Sequence, residues 1–150
     1  MTQSATAIQL PFWQDPQSPL ALTINVTSNS CEAFFTLWDL AGEEMPDCLG
    51  KITFSECWAT KTANTDLLPY AATSHSFTSF LLEVSDSSWL ADTRELRKRH
   101  YYNWKHADKF KYHRHYVLQG SEGYLEVLAS SFAAGMASQE ECRRYAFLRE

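Results

Sequence analysis

The chain has 150 residues, 45% of them hydrophobic and 14% aromatic, which is enough for one domain with a substantial core and too apolar for a disordered chain. Its 13 basic and 18 acidic residues leave a net charge of −5, which argues against a phosphate-binding surface spread over the whole molecule. No apolar run approaches the ~20 residues that span a bilayer, and the opening MTQSATAIQLPFWQDPQSPL lacks a signal peptide's basic start and apolar stretch, so a cytoplasmic location and no membrane partner are expected.

Pro11, Pro16 and Pro19 interrupt any ladder in residues 1–19, which read as an irregular arm. Residues 20–26 alternate strictly, with Leu20, Leu22, Ile24 and Val26 on one face, the pattern of a half-buried strand. A polar turn leads to an aromatic-rich strand over 33–40, then an acidic loop over 41–50 containing Pro46. Residues 51–60 read as a third strand with Ile52, Phe54 and Trp58 on one side. A polar connection over 61–75 precedes a fourth strand over 76–84, in which Phe80, Leu82 and Val84 alternate.

The period then changes. N-cap chemistry in Asp86-Ser-Ser88 ahead of Trp89 and Leu90 predicts a helix over 88–100, with Arg97, Lys98 and Arg99 placed to complement its dipole. A hairpin follows, residues 112–119 and 124–131 around Gly120-Ser-Glu-Gly123, with Gln119 opposite Tyr124. That register puts Tyr112, Arg114, Tyr116, Leu118, Leu125, Val127 and Ala129 on an inward face, and His113, His115, Val117, Tyr124, Glu126 and Leu128 on the other. Ser138-Gln-Glu-Glu141 is a capping box opening a short C-terminal helix. The expected fold is a single α+β domain: a mainly antiparallel sheet of about six strands, one helix before the final hairpin and one at the C terminus.

Charge is distributed unevenly. Residues 94–116 hold eight of the 13 basic residues and four of the five histidines, for a net of +6, between flanks of −9 and −2. A basic, aromatic island in an acidic chain points to an interaction surface. Arg97, Arg99, Tyr101 and Trp104 are partner-binding candidates there, and Glu43, Glu44 and Asp47 form an acidic counterpart suited to a basic partner or a cation. Nucleic acid is the rival partner, since Lys and Arg neutralise phosphate while Tyr and Trp stack on bases, but no RRM, KH or helix-turn-helix signature accompanies the strip. The strip is expected to divide instead, with Arg94, Arg97 and Lys98 on the exposed side or end of the helix, Tyr116 buried in the sheet, and Lys105, Lys109 and Lys111 on a mobile loop.

Reaction chemistry is harder to find. There is no GxSxG elbow and no phosphate loop among five glycines. His113-x-His115 with Glu126 across the hairpin could present two imidazoles and a carboxylate to a divalent metal, although such histidines more often cover a sheet face. Cys57 is a nucleophile only if a histidine approaches it. Cys31, Cys48, Cys57 and Cys142 form no CxxC, so four free thiols and no cofactor are expected.

Ser87-Ser-Trp89-Leu90, His115-Tyr116-Val117 and Glu126-Val-Leu-Ala-Ser-Ser-Phe132 resemble the recurring pieces of a group of small bacterial proteins, some of them similar to immunity proteins of toxin systems. The resemblance spans about the last half of the chain. It implies a cytoplasmic, non-enzymatic protein-binding module whose partner is a toxin, and it leaves self-association open. A nucleic-acid accessory protein and a metal-dependent enzyme at the His-x-His hairpin are the competing expectations.

Overall fold

The structure, a computed structural model, describes residues 3–72, 80–100 and 112–149. Two sheets pack face to face. The six-stranded sheet runs β6 (Ala59–Ala63), β10 (Tyr124–Ala129), β9 (Arg114–Gln119), β8 (Leu81–Ser85), β1 (Ser4–Ala7) and β7 (Ala71–Ala72). The five-stranded sheet runs β11 (Ser131–Met136), β5 (Glu44–Ser55), β4 (Ser30–Trp38) and β2 (Trp13–Gln14), with β3 (Ala21–Asn25) also paired to β4. The pairings are antiparallel except β1 with β7. Helix α1 (Ser88–His100) joins β8 to the segment before β9, and α2 (Gln139–Arg144) with a 3-10 turn (Ala146–Arg149) closes the described chain. The α+β class stands, with the expected single sheet resolved into two.

The principal core lies between the sheets. Cys31, Ala33, Phe35, Leu37, Ile52 and Phe54 from one sheet meet Leu81, Tyr116, Leu118, Leu125, Val127 and Ala129 from the other. The expected hairpin register holds, with Gln119 opposite Tyr124, and Tyr116, Leu118, Leu125, Val127 and Ala129 of the expected inward face pack inward, whereas Tyr112 and Arg114, at the end of the core, are exposed. Its other face is buried too: Val117 packs with Ala5, Leu82 and Val84, and His115 and Glu126 are enclosed. On the outer side of the five-stranded sheet, Phe34 and Leu49 are covered by Leu148 and Tyr145, whose ring stacks on Phe34 at 4.3 Å. The capping box forms as expected: Ser138 accepts the Glu141 N–H while Glu141 reaches back to the Ser138 N–H. Glu141 also binds Lys51 at 2.7 Å, fastening this cover to β5.

Several boundaries differ from expectation for local reasons. The supposed arm supplies β1 inside the six-stranded sheet and buries Ala5, Leu10, Gln14 and Ser18. The supposed acidic loop is the start of β5, where Pro46 is tolerated because β11 pairs only as far as Gly50 and the β4 register slips nearby. The strand expected over 51–60 breaks at Glu56, whose φ of 53° turns the chain, and it resumes as β6 in the other sheet. Likewise the strand expected over 124–131 ends at Ala129, and after Ser130 it continues as β11 in the opposite sheet. Strands that switch sheets at such corners knit the two layers together.

Candidate functional site

The two residues that sequence reasoning set across the hairpin do meet. His115 Nε2 lies 2.8 Å from Glu126 Oε1, and both side chains are almost fully buried. Strand pairing places them: Glu126 is opposite Val117, one step along from His115, on the same face. The remaining partners come from far along the chain. Ser87 Oγ sits 2.6 Å from His115 Nδ1, the Tyr70 hydroxyl donates to Glu126 Oε1, and Lys61 Nζ approaches Oε2 at 3.8 Å. Trp89 and Tyr70 flank the imidazole edge-on at 5.1 and 5.4 Å.

Electrostatics makes the chain self-consistent. Burial alone would raise the Glu126 pKa, but the hydrogen bonds from His115 and Tyr70 and the Lys61 charge outweigh it and hold the carboxyl below its ordinary value. An ionised Glu126 only accepts, so His115 donates through Nε2. Ser87 Oγ also accepts the Leu90 N–H at 3.0 Å, capping α1, which leaves its own proton for His115 Nδ1. Desolvation pushes the Tyr70 phenol well above its ordinary value, and Glu126 pushes it further, so Tyr70 stays a donor.

A serine, a histidine and an acid in this order invite comparison with a nucleophilic triad. Ser87 is only 8% exposed and is held by its cap. The clefts at Leu20 and Tyr124, at Ile24 and Trp58, and at Asp47 and Arg143 are lined by other residues than Ser87, His115 and Glu126. The arrangement therefore suits a fastening of α1 to the sheet better than it suits a reaction. His113, the third metal candidate, turns to other neighbours: its ring stacks on Trp58 at 3.6 Å and its Nε2 lies 2.8 Å from the Glu56 carbonyl. Burial lowers its pKa. Among the described residues, His, Cys, Asp and Glu gather into no group of three that could hold a metal ion.

The partner-binding candidates scatter. Glu43, Glu44 and Asp47 are exposed around the β4–β5 hairpin, whose tip raises Leu40 at 93% exposure. Asp39 orders that tip by accepting the Ala41 and Glu43 N–H groups, and Gly42 supplies the φ of 80° the turn needs. Arg99 is exposed at the end of α1, whereas Arg97 lies over the Trp58 ring at 4.8 Å and Arg94 donates to the His113 carbonyl at 2.8 Å. Tyr101 and Trp104, with Lys105, Lys109 and Lys111, fall outside the described residues. Tyr116 is buried at 4% exposure, as expected.

The four cysteines are free. Burial, with Cys57 and Glu32 nearby, pushes the Cys31 thiol up to about 12, and burial pushes Cys57 to about 11, so neither supplies a thiolate nucleophile near neutral pH. Titration with a thiol reagent under non-reducing conditions is expected to find all four thiols after denaturation, with Cys31 the slowest to react in the native protein. A count of two or none would contradict this.

Sequence reasoning missed one feature, a slot between the two sheets. β3 bonds to β4 and β6 bonds to β10, and among the described residues their other edges have no ladder partner. Between them run a cleft of about 520 Å³, walled by Leu20, Leu22, Thr62, Ala63 and Tyr124, and a second of about 170 Å³ at Ile24, Val26, Trp58 and Thr60. Hydrogen bonds tie both ends: Cys57 N–H to the Asn29 carbonyl at 2.8 Å, and Ser121 N–H to the Ser18 carbonyl at 2.9 Å. The alternating stripe of β3 thus buries Leu20 and Leu22 partly against the core but leaves Ile24 51% and Val26 82% exposed. The sequence signal was that stripe, which alone does not say that half of it lacks a cover.

No helix among the described residues is long and apolar enough to cross a membrane. Comparison with protein-family models, curated proteins and solved structures gave no match.

Proposed function

We propose that the protein is a non-enzymatic protein-binding module acting in the cytoplasm, and that its partner is a toxin it neutralises, as the resemblance to immunity-like bacterial proteins implies. The supporting observation is the slot. Two sheet edges that have no ladder partner among the described residues flank a groove of mixed polar and apolar lining, with Ile24 and Val26 exposed at its mouth, a combination that soluble domains keep for partners because it otherwise promotes aggregation. The exposed acids Glu43, Glu44 and Asp47 on an ordered hairpin suit a basic partner, where complementary charge speeds encounter.

A nucleic-acid accessory role is the second reading, and it draws on the same basic strip. Against it, Arg94 and Arg97 are engaged with the protein's own backbone and with Trp58. The test is co-expression with a panel of basic nuclease toxin domains, scored by growth. Wild-type protein is expected to restore growth against at least one domain, and the Glu43→Lys, Glu44→Lys double variant to lose that protection. Absence of any rescue, together with salt-sensitive binding to random oligonucleotides that Lys109→Glu with Lys111→Glu abolishes, would replace this reading with the second.

A further inference from the structure

We infer that the slot between β3 and β6 receives an extended segment of the partner protein as an added strand, apolar at alternate positions. The inference rests on the protein-binding reading and gives it a mode. Each long wall of the slot is an edge strand. Each wall strand uses one edge on its sheet neighbour, β3 on β4 and β6 on β10, so each turns a second row of N–H and C=O groups toward the slot. An incoming strand satisfies those rows. An apolar small molecule could fill the 520 Å³ cleft but would leave them unmet.

The side chains select the segment's pattern. Leu22 and Ile24 lie on one face of β3 at the strand repeat of two, so alternate side chains of an added strand meet the same stripe. Both walls are five residues long, Ala21–Asn25 and Ala59–Ala63, which sets the length of the paired stretch. They run in opposite senses, since β3 leads from the Ser18 end to the Asn29 end and β6 leads back toward Gly123. An inserted strand is therefore antiparallel to one wall and parallel to the other. Among the described residues that line the two clefts, Glu122 is the only Asp, Glu, Lys or Arg, so the segment is uncharged along its centre, with a basic residue welcome at the Glu122 end. A second copy of this chain fits less well, because the edges of β3 and β6 that lack a ladder partner among the described residues are the walls of the slot and stand tied at both ends.

The test is a displayed library of random peptides selected on the full chain, followed by amide hydrogen exchange with a synthetic copy of an enriched sequence. Enriched peptides are expected to alternate apolar and polar residues and to slow exchange within 21–25 and 59–63. Ile24→Asp with Val26→Asp, both exposed and so compatible with folding, is expected to weaken binding about tenfold or more with the thermal midpoint unchanged. Peptides that instead protect the hairpin around Glu43 would overturn the slot while leaving the protein-binding reading standing. A concentration-dependent dimer that protects the same amides without peptide would overturn the inference in favour of a second copy. If no peptide is enriched and 1-anilinonaphthalene-8-sulfonate binds at the slot, a small ligand replaces the strand.

Discussion

Replacing His115 by alanine lowers the unfolding free energy by about 3–5 kcal/mol, because it leaves the buried Glu126 carboxylate with the Tyr70 hydroxyl alone where it had two hydrogen-bond donors. The ring also fills space between Trp89 and Tyr70, so the same change opens a cavity beneath α1. Ser87→Ala removes the helix cap and the hydroxyl on Nδ1 but leaves the carboxylate pair intact, so its cost is expected to be smaller, about 1–2 kcal/mol. Urea unfolding of the two variants checks the order. The network also sets an acid limit. The folded Glu126 carboxyl titrates below its ordinary value of 4.5, so its contribution is complete above that range and is lost as pH falls through the folded value. Glu126→Gln removes that share of the acid-side slope. An unchanged slope in the variant would show that the carboxyl is not held in its ionised form as described.

The second large effect lies between the sheets. Phe35→Ala is expected to cost about 3–5 kcal/mol, since the ring is fully buried and touches both Phe12 and the backbone of β5. That contact, with a lesser one from Leu37, explains Gly50: a Cβ there would overlap the Phe35 ring and crowd the Leu37 side chain. Gly50→Ala is accordingly expected to cost about 1–3 kcal/mol by overpacking, and less once Phe35 is alanine, the Leu37 contact remaining. A double-mutant cycle on thermal unfolding reads the coupling directly. Additive effects would mean that the ring does not depend on the missing side chain.

What the sequence revealed was mostly local. The α1 limits, the hairpin register around Gly120 and Gly123, and the capping box at Ser138 were all legible, because caps and tight turns write their chemistry within a few residues. The sheet changes at Glu56 and Ser130 were not, since a corner depends on two layers packing together and a single positive φ has no reliable residue signature. The site divides the same way. His115 and Glu126, 11 residues apart, could be set on one face of the hairpin from strand alternation. Ser87 and Tyr70, respectively 28 residues from His115 and 56 from Glu126, could not. Without them the pair reads as two ligands awaiting a metal, and with them it reads as a closed hydrogen-bond chain. The slot was illegible for a further reason: whether an edge is free depends on which strands fail to pair, a property of the whole topology.

Native-state amide hydrogen exchange on the free protein tests the central claim, that β3 and β6 present open edges to a partner. In each of these five-residue strands, the amides bonded to β4 or β10 are expected to exchange slowly, and the alternate amides that face the slot much faster. The central strands β4, β9 and β10, paired on both sides, are expected to be protected throughout. Uniform protection along residues 21–25 and 59–63 in the free protein would mean that the two edges already have partners, and would contradict the account.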